Sequence, residues 1–151
     1  MAQLLSQLAQ GKSPLVPGSR RHRVPLVSAG YVSAYVVALL SQPSQASMTE
    51  HLLLDSRTPD LLTTMRTLAK GQGVRSPYGR VPLPWVRCLA KVGPLARTMG
   101  LEPESLPFII EGAFDVSKED ACAARWGVEH PDLSRLLQRT GEVWRATQVG
   151  V

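Results

Sequence analysis

Arg20-Arg21-His22-Arg23-Val24-Pro25-Leu26-Val27, followed after Ser28-Ala29-Gly30 by Tyr31-Val32-Ser33-Ala34-Tyr35-Val36-Val37-Ala38-Leu39-Leu40, is the stretch on which the fold turns. Its first half is basic and reads as a short strand over Val24 to Val27. Pro25 has no N–H to donate, so that strand belongs at an edge or runs irregularly. Ser28 is placed to cap a helix from about Ala29 to Leu40. On that helix Val32, Tyr35, Val36, Leu39 and Leu40 make a wide apolar face. The basic segment looks built to meet a ligand, yet no reaction centre accompanies it. The chain contains neither Gly-x-x-x-x-Gly-Lys nor Gly-x-Ser-x-Gly.

Outward from this stretch, helical and extended signals alternate loosely. Leu4, Leu5 and Leu8 recur at helical spacing until Gly11 stops them. Ser13-Pro14-Leu15-Val16-Pro17-Gly18 is a turn-rich link with room for one extended pair. His51-Leu52-Leu53-Leu54-Asp55 reads as a buried strand. Thr58 as N-cap and Pro59 at the first helical position open a helix lined by Leu61, Leu62, Met65, Leu68 and Ala69, which Gly71 or Gly73 ends. Trp85 to Met99 is helical through Trp85, Leu89, Val92 and Met99, broken at Gly93-Pro94 and capped at Gly100. Phe108-Ile109-Ile110 is open between a strand and a buried turn. Ser117-Lys118-Glu119-Asp120 has the layout of a capping box, with its helix running to Trp126 and ending at Gly127. Pro131 opens the last helix, which keeps Leu133, Leu136, Leu137, Thr140, Val143 and Trp144 on one face. The expected fold is α+β, mixed and helix-rich, with five or six helices and two to four short strands in a single domain over residues 1–151. A self-sufficient doubly wound sheet needs more strand–helix alternation than this.

Composition narrows the class of function. The chain has 151 residues, 44% of them hydrophobic and 19% charged, which suits a globular domain with a real core. Lys and Arg outnumber Asp and Glu by 17 to 12, a net charge of +5 that suits an anionic ligand. No basic stretch is interleaved with aromatics, so a small basic nucleic-acid-binding protein, resting only on the charge balance and the Arg20-Arg21-His22-Arg23 run, is the least favoured alternative. Cys88 and Cys122 are too few for a disulfide framework or a zinc site and read as reduced, structural thiols, which favours a cytoplasmic location. No apolar run approaches the roughly 18 residues of a membrane span, and Met1 to Gln10 lacks the charged start of a leader. His22, His51 and His130 are too far apart in sequence for a metal-binding helix, so no metal is expected. Gly71-Gln72-Gly73-Val74-Arg75-Ser76 is the nearest approach to a dinucleotide fingerprint, but it follows a helix and opens none.

Several passages together resemble the C-terminal, substrate-side portion of the extended and atypical short-chain dehydrogenase/reductases, the group that includes the NAD(P)-dependent epimerase/dehydratases. The resemblance runs from about Leu4 to Trp144. It rests on the helix ending in Gly11-Lys12-Ser13-Pro14-Leu15-Val16-Pro17-Gly18, on Arg23 to Val27 leading into Tyr31 to Leu40, and on His51 to Asp55 with Thr58-Pro59. Gly79-Arg80-Val81-Pro82-Leu83-Pro84, Phe114-Asp115-Val116-Ser117 and His130-Pro131-Asp132-Leu133 complete it. Where many relatives carry an acidic residue before the bordering helix, this chain has Ala29-Gly30. The family's glycine-rich loop and Tyr-x-x-x-Lys pair are absent, since neither Tyr31, Tyr35 nor Tyr78 has a lysine four places on.

The resemblance therefore implies a substrate-recognition portion with no cofactor of its own, NAD(P) belonging to the missing half, and no catalytic residue. Arg23 and Arg80 are the candidates for gripping an anionic small molecule, because a guanidinium offers a planar fork of donors. Tyr31, Tyr35 and Trp85 are candidates for the pocket wall. Such a portion needs a separate cofactor-binding domain as partner. Alternatively it is a non-catalytic interaction protein that forms homo-oligomers through Val32, Val36 and Leu40.

Overall fold

In the computed structural model, residues 2–11, 15–42, 50–90, 109–112 and 114–149 are described. Among them are six helices and four short strands in two small sheets, a mixed α+β architecture. The chain divides into two compact units. One comprises Met1–Val24, Pro59–Gly112 and Ser134–Val151, the other Pro25–Thr58 and Ala113–Leu133.

The first unit begins with helix α1, Ala2–Ala9, which buries Leu5 and Leu8 and gives way at Gly11, whose φ of 65° suits glycine. Strand β1, Leu15–Pro17, runs parallel to β3, Gly79–Val81, in the register Leu15↔Gly79, Val16↔Arg80, Pro17↔Val81. A Cβ at Gly79 would lie 2.9 Å from Leu15 Cδ2, so the end of that side chain would have to shift to admit one. Strand β2, His22–Arg23, pairs antiparallel with β4, Ile110–Glu111. Helix α3, Leu61–Gln72, buries Leu61, Leu62, Met65, Leu68 and Ala69, the face that its sequence spacing predicts. The Gln72 side chain donates to the Leu5 carbonyl at 3.0 Å and so ties α3 to α1. Helix α4, Leu83–Ala90, packs Leu83 and Val86 against Val81 and Ile109. The last helix, α6, Leu133–Val149, crosses α3 where Gly71 and Gly141 meet backbone to backbone.

In the second unit helix α2, Ala29–Leu40, is capped as expected, with Ser28 Oγ accepting from the Tyr31 N–H. Helix α5, Ser117–Arg125, ends at Gly127, whose φ is 67°. Tyr31, Tyr35 and Ala123 form the core, with Val27, Leu53, Cys122, Trp126 and Val128 packed on it. The Tyr35 and Trp126 rings meet edge to face with centroids 5.1 Å apart.

Several local expectations are corrected. Val24 to Val27 enters no ladder, and the strand falls on His22–Arg23 instead, short of Pro25. His51 to Asp55 is likewise unpaired as a strand. The Leu52 N–H donates to Glu119 Oε1, and the Asp55 N–H donates to the Leu26 carbonyl at 3.0 Å. The cap of α3 is Asp60, whose carboxylate accepts from Leu62 and Thr63, because the Thr58 hydroxyl is taken up by the Asp55 carbonyl at 2.6 Å. Ser117 is the first residue of α5 rather than its cap, and its N–H is taken by Asp115. Helix α6 starts at Leu133, two residues beyond Pro131. On α2 only Tyr31 and Tyr35 are buried, and Val36 and Leu40 lie outside the core at 41% and 80% exposure. Trp85 is 69% exposed, not on an inner face. Cys88 is exposed and Cys122 partly buried, both as free thiols. The expected break at Gly93-Pro94 and the cap at Gly100 lie outside the described residues.

Candidate functional site

Residues 18–23 form a tight turn between β1 and β2. Gly18 extends β1, its N–H donating to the Val81 carbonyl at 2.8 Å, and then turns with a φ of 103° that only glycine adopts readily. The His22 N–H closes the turn on the Ser19 carbonyl at 3.2 Å. Inside it, the Ser19 N–H donates to His22 Nδ1 at 3.0 Å, Ser19 Oγ lies 2.8 Å from the same nitrogen, and the Arg21 N–H donates to Ser19 Oγ at 3.2 Å. A Cβ on Gly18 would stand 2.9 Å from His22 Cβ, so the ring depends on glycine beneath it.

This turn is one wall of a cleft of about 400 Å³. Gly18, Ser19 and His22 line one side. Pro82, Leu83 and Pro84, where β3 passes into α4, form another, and Ile109 and Glu111 the third. Arg20, Arg21 and Arg23 flank the lining residues in sequence, and among the described residues no carboxylate pairs with them. None of the three lines the cleft itself, whose described lining holds one carboxylate, Glu111.

Arg23 lies on β2 opposite Ile110, on the other face of the ladder from His22 and Glu111, which line the cleft. Arg80 is engaged elsewhere in the same unit. Its Nη2 donates to Asp60 Oδ1 at 2.7 Å, which joins β3 to the cap of α3, and its buried Nε meets no acceptor. Partial burial pushes the Asp60 carboxyl up, but hydrogen bonds from Arg80 and Thr63 outweigh it and hold the group below its ordinary range. Trp85 stands exposed on α4.

Tyr31 and Tyr35 belong to the second unit, where they are 3% and 0% exposed. The Tyr31 ring stacks on His130 with centroids 3.7 Å apart. His130 in turn lies between Asp120, with Nε2 3.0 Å from Oδ1, and Asp55, with Nδ1 3.8 Å from Oδ2. Arg57 holds both oxygens of Asp55 and also reaches the Pro131 carbonyl. The Tyr35 hydroxyl meets His51 Nδ1 at 3.1 Å, and burial pushes the phenol up to about 12. These groups satisfy one another, as buried polar groups must, and bind α2, α5 and the Asp55 turn into one body. A shallow cleft of about 420 Å³ on this unit has Glu50, His51, Leu52, Asp115, Lys118 and Glu119 on its walls.

Ser19, Glu111 and the Asp55–His130–Asp120 cluster carry no sequence motif. The one local signal was Gly18 ahead of a serine and a histidine three residues apart. Gly73 caps the C-terminus of α3, and Gly71 is packed against α6, so this glycine pair faces the carbonyl end of a helix, the wrong end for a pyrophosphate. Among the described residues no group of three or more His, Cys, Asp or Glu is placed to hold a metal ion, and no helix is long and apolar enough to cross a membrane. No family model, curated protein or solved structure matches the chain.

Proposed function

We propose that the chain is the substrate-recognition portion of a protein similar to the NAD(P)-dependent epimerase/dehydratases and reductases, that it takes an anionic small molecule, and that it performs no turnover alone. The observation that carries this reading is the cleft beside residues 18–23, with Arg20, Arg21 and Arg23 unopposed by any described carboxylate partner. Unpaired guanidinium groups near a concavity raise the local concentration of anions. The second unit supports the need for a partner. Helix α2 has no charged residue, and it leaves Val36, Val37 and Leu40 exposed. A helix apolar on all sides is normally covered, here by a cofactor-binding domain. In the alternative reading, a homo-oligomeric interaction protein, a second copy covers the same face.

Calorimetry with inorganic pyrophosphate and with NADPH tests the proposal. Pyrophosphate is expected to bind, and the double variant Arg20→Ala/Arg21→Ala to weaken it about tenfold, through the loss of local positive charge. Absence of pyrophosphate binding overturns the anionic ligand. Micromolar NADPH binding with hydride transfer by this chain overturns the rest.

A further inference from the structure

The turn that forms one wall of the cleft also settles the state of the histidine inside it. A backbone N–H can only donate, so the 3.0 Å contact from the Ser19 N–H makes His22 Nδ1 an acceptor. Ser19 Oγ, 2.8 Å from the same atom, is then the donor in that pair, and its own lone pairs receive the Arg21 N–H. An imidazole with Nδ1 accepting carries its hydrogen on Nε2. Among the described residues nothing accepts from that second nitrogen, and the ring lines the cleft. The three flanking arginines contribute charge, which is long-ranged and indifferent to shape. The histidine contributes one directional donor at a fixed place.

We propose that His22 is the specificity-determining donor of this cleft, held by Ser19 in the Nε2–H tautomer so that it hydrogen-bonds an oxygen of a phosphate-bearing ligand. This rests on the reading of the cleft as an anion-recognition site. Gly18 and Ser19 are positioning residues. Gly18 leaves room for the ring, and Ser19 fixes the tautomer and the ring plane through a three-centre hydrogen bond to the one lone pair of Nδ1. The arrangement favours ligands that offer an acceptor at the His22 position over equally charged ligands that do not, because an unmet donor in a ligand-filled cleft carries a desolvation penalty.

Two measurements test it. Two-bond nitrogen–proton correlation on the wild-type protein reads the tautomer directly. Nδ1 unprotonated and Nε2 protonated is expected, and the reverse assignment overturns the proposal. Pyrophosphate calorimetry then compares wild type, His22→Phe and His22→Gln. Phenylalanine keeps a flat ring without a donor, and binding is expected to weaken about tenfold; glutamine restores a donor near the Nε2 position and is expected to stay within about threefold of wild type. If the wild type binds pyrophosphate and His22→Phe binds it equally well, this proposal alone fails. If the wild type does not bind pyrophosphate, the anionic reading of the cleft fails and takes this one with it.

Discussion

Replacing Gly71 by alanine tests the closest contact in the first unit. A Cβ at Gly71 would lie 2.0 Å from the Gln138 carbonyl oxygen and 3.1 Å from Gly141 Cα. Atoms in good contact stand about 3.5 Å apart, so α3 and α6 must part by about 1 Å or more to admit the methyl group. The obstacle is backbone on both sides, so no side chain can rotate away. Overpacking of this kind costs about 1 to 3 kcal/mol, and a backbone collision belongs at the upper end. Against it, alanine is the better helix former by about 1 kcal/mol. The net expectation is a loss of about 2 kcal/mol, which lowers the urea midpoint by about 1 M for a domain of this size. Gly30→Ala supplies the contrast. Gly30 also lies within a helix, but its nearest neighbour would be Ser28 Oγ at 3.6 Å, so the propensity gain there is unopposed. The double variant Gly71→Ala/Gly141→Ala is expected to cost less than the sum of the two, because the first methyl has already separated the helices. A Gly71→Ala protein that unfolds at the wild-type midpoint or above it refutes the close crossing.

The Asp60 cap makes a second prediction. Its carboxyl is held below its unfolded value, so the stability it confers is complete above the unfolded value and disappears as pH falls through the folded one. Asp60→Asn keeps the cap and removes the charge. Acid denaturation of that variant is therefore expected to lack this component, whereas Asp60→Ala loses about 1 kcal/mol at neutral pH as well; an Asn variant with the wild-type acid profile would count against the Arg80 pairing. A third prediction concerns Tyr35, whose phenol is raised to about 12 by burial first and by Cys122 and Glu119 after it. The protonated phenol is the folded form, so its contribution is complete below pH 10 and is lost as pH rises toward 12. Ultraviolet titration should show a late phenolate step that Tyr35→Phe removes, and its persistence in the variant would assign the step elsewhere.

Local signals in the chain determined a good part of the fold. The bounds of α2, the inner face of α3 and the glycine stops at Gly11 and Gly127 follow from caps, helical spacing and the one residue type at ease with positive φ, whereas the structure chooses Gly73 over Gly71 as the end of α3. The apolar face read at Val32, Tyr35, Val36, Leu39 and Leu40 gives the wrong phase for α2, because a helix with so few polar residues carries little periodicity to orient it. Only packing against Ala123 and Trp126 selects Tyr31 and Tyr35 as its buried residues. Pairing of β1 with β3 joins residues more than sixty positions apart, and the crossing of α3 with α6 joins Gly71 to Gly141. Ser19 and His22 come together only where the turn closes their side chains on each other beside the cleft. Those outcomes depend on distance in space, and a linear pattern of propensities records only distance along the chain.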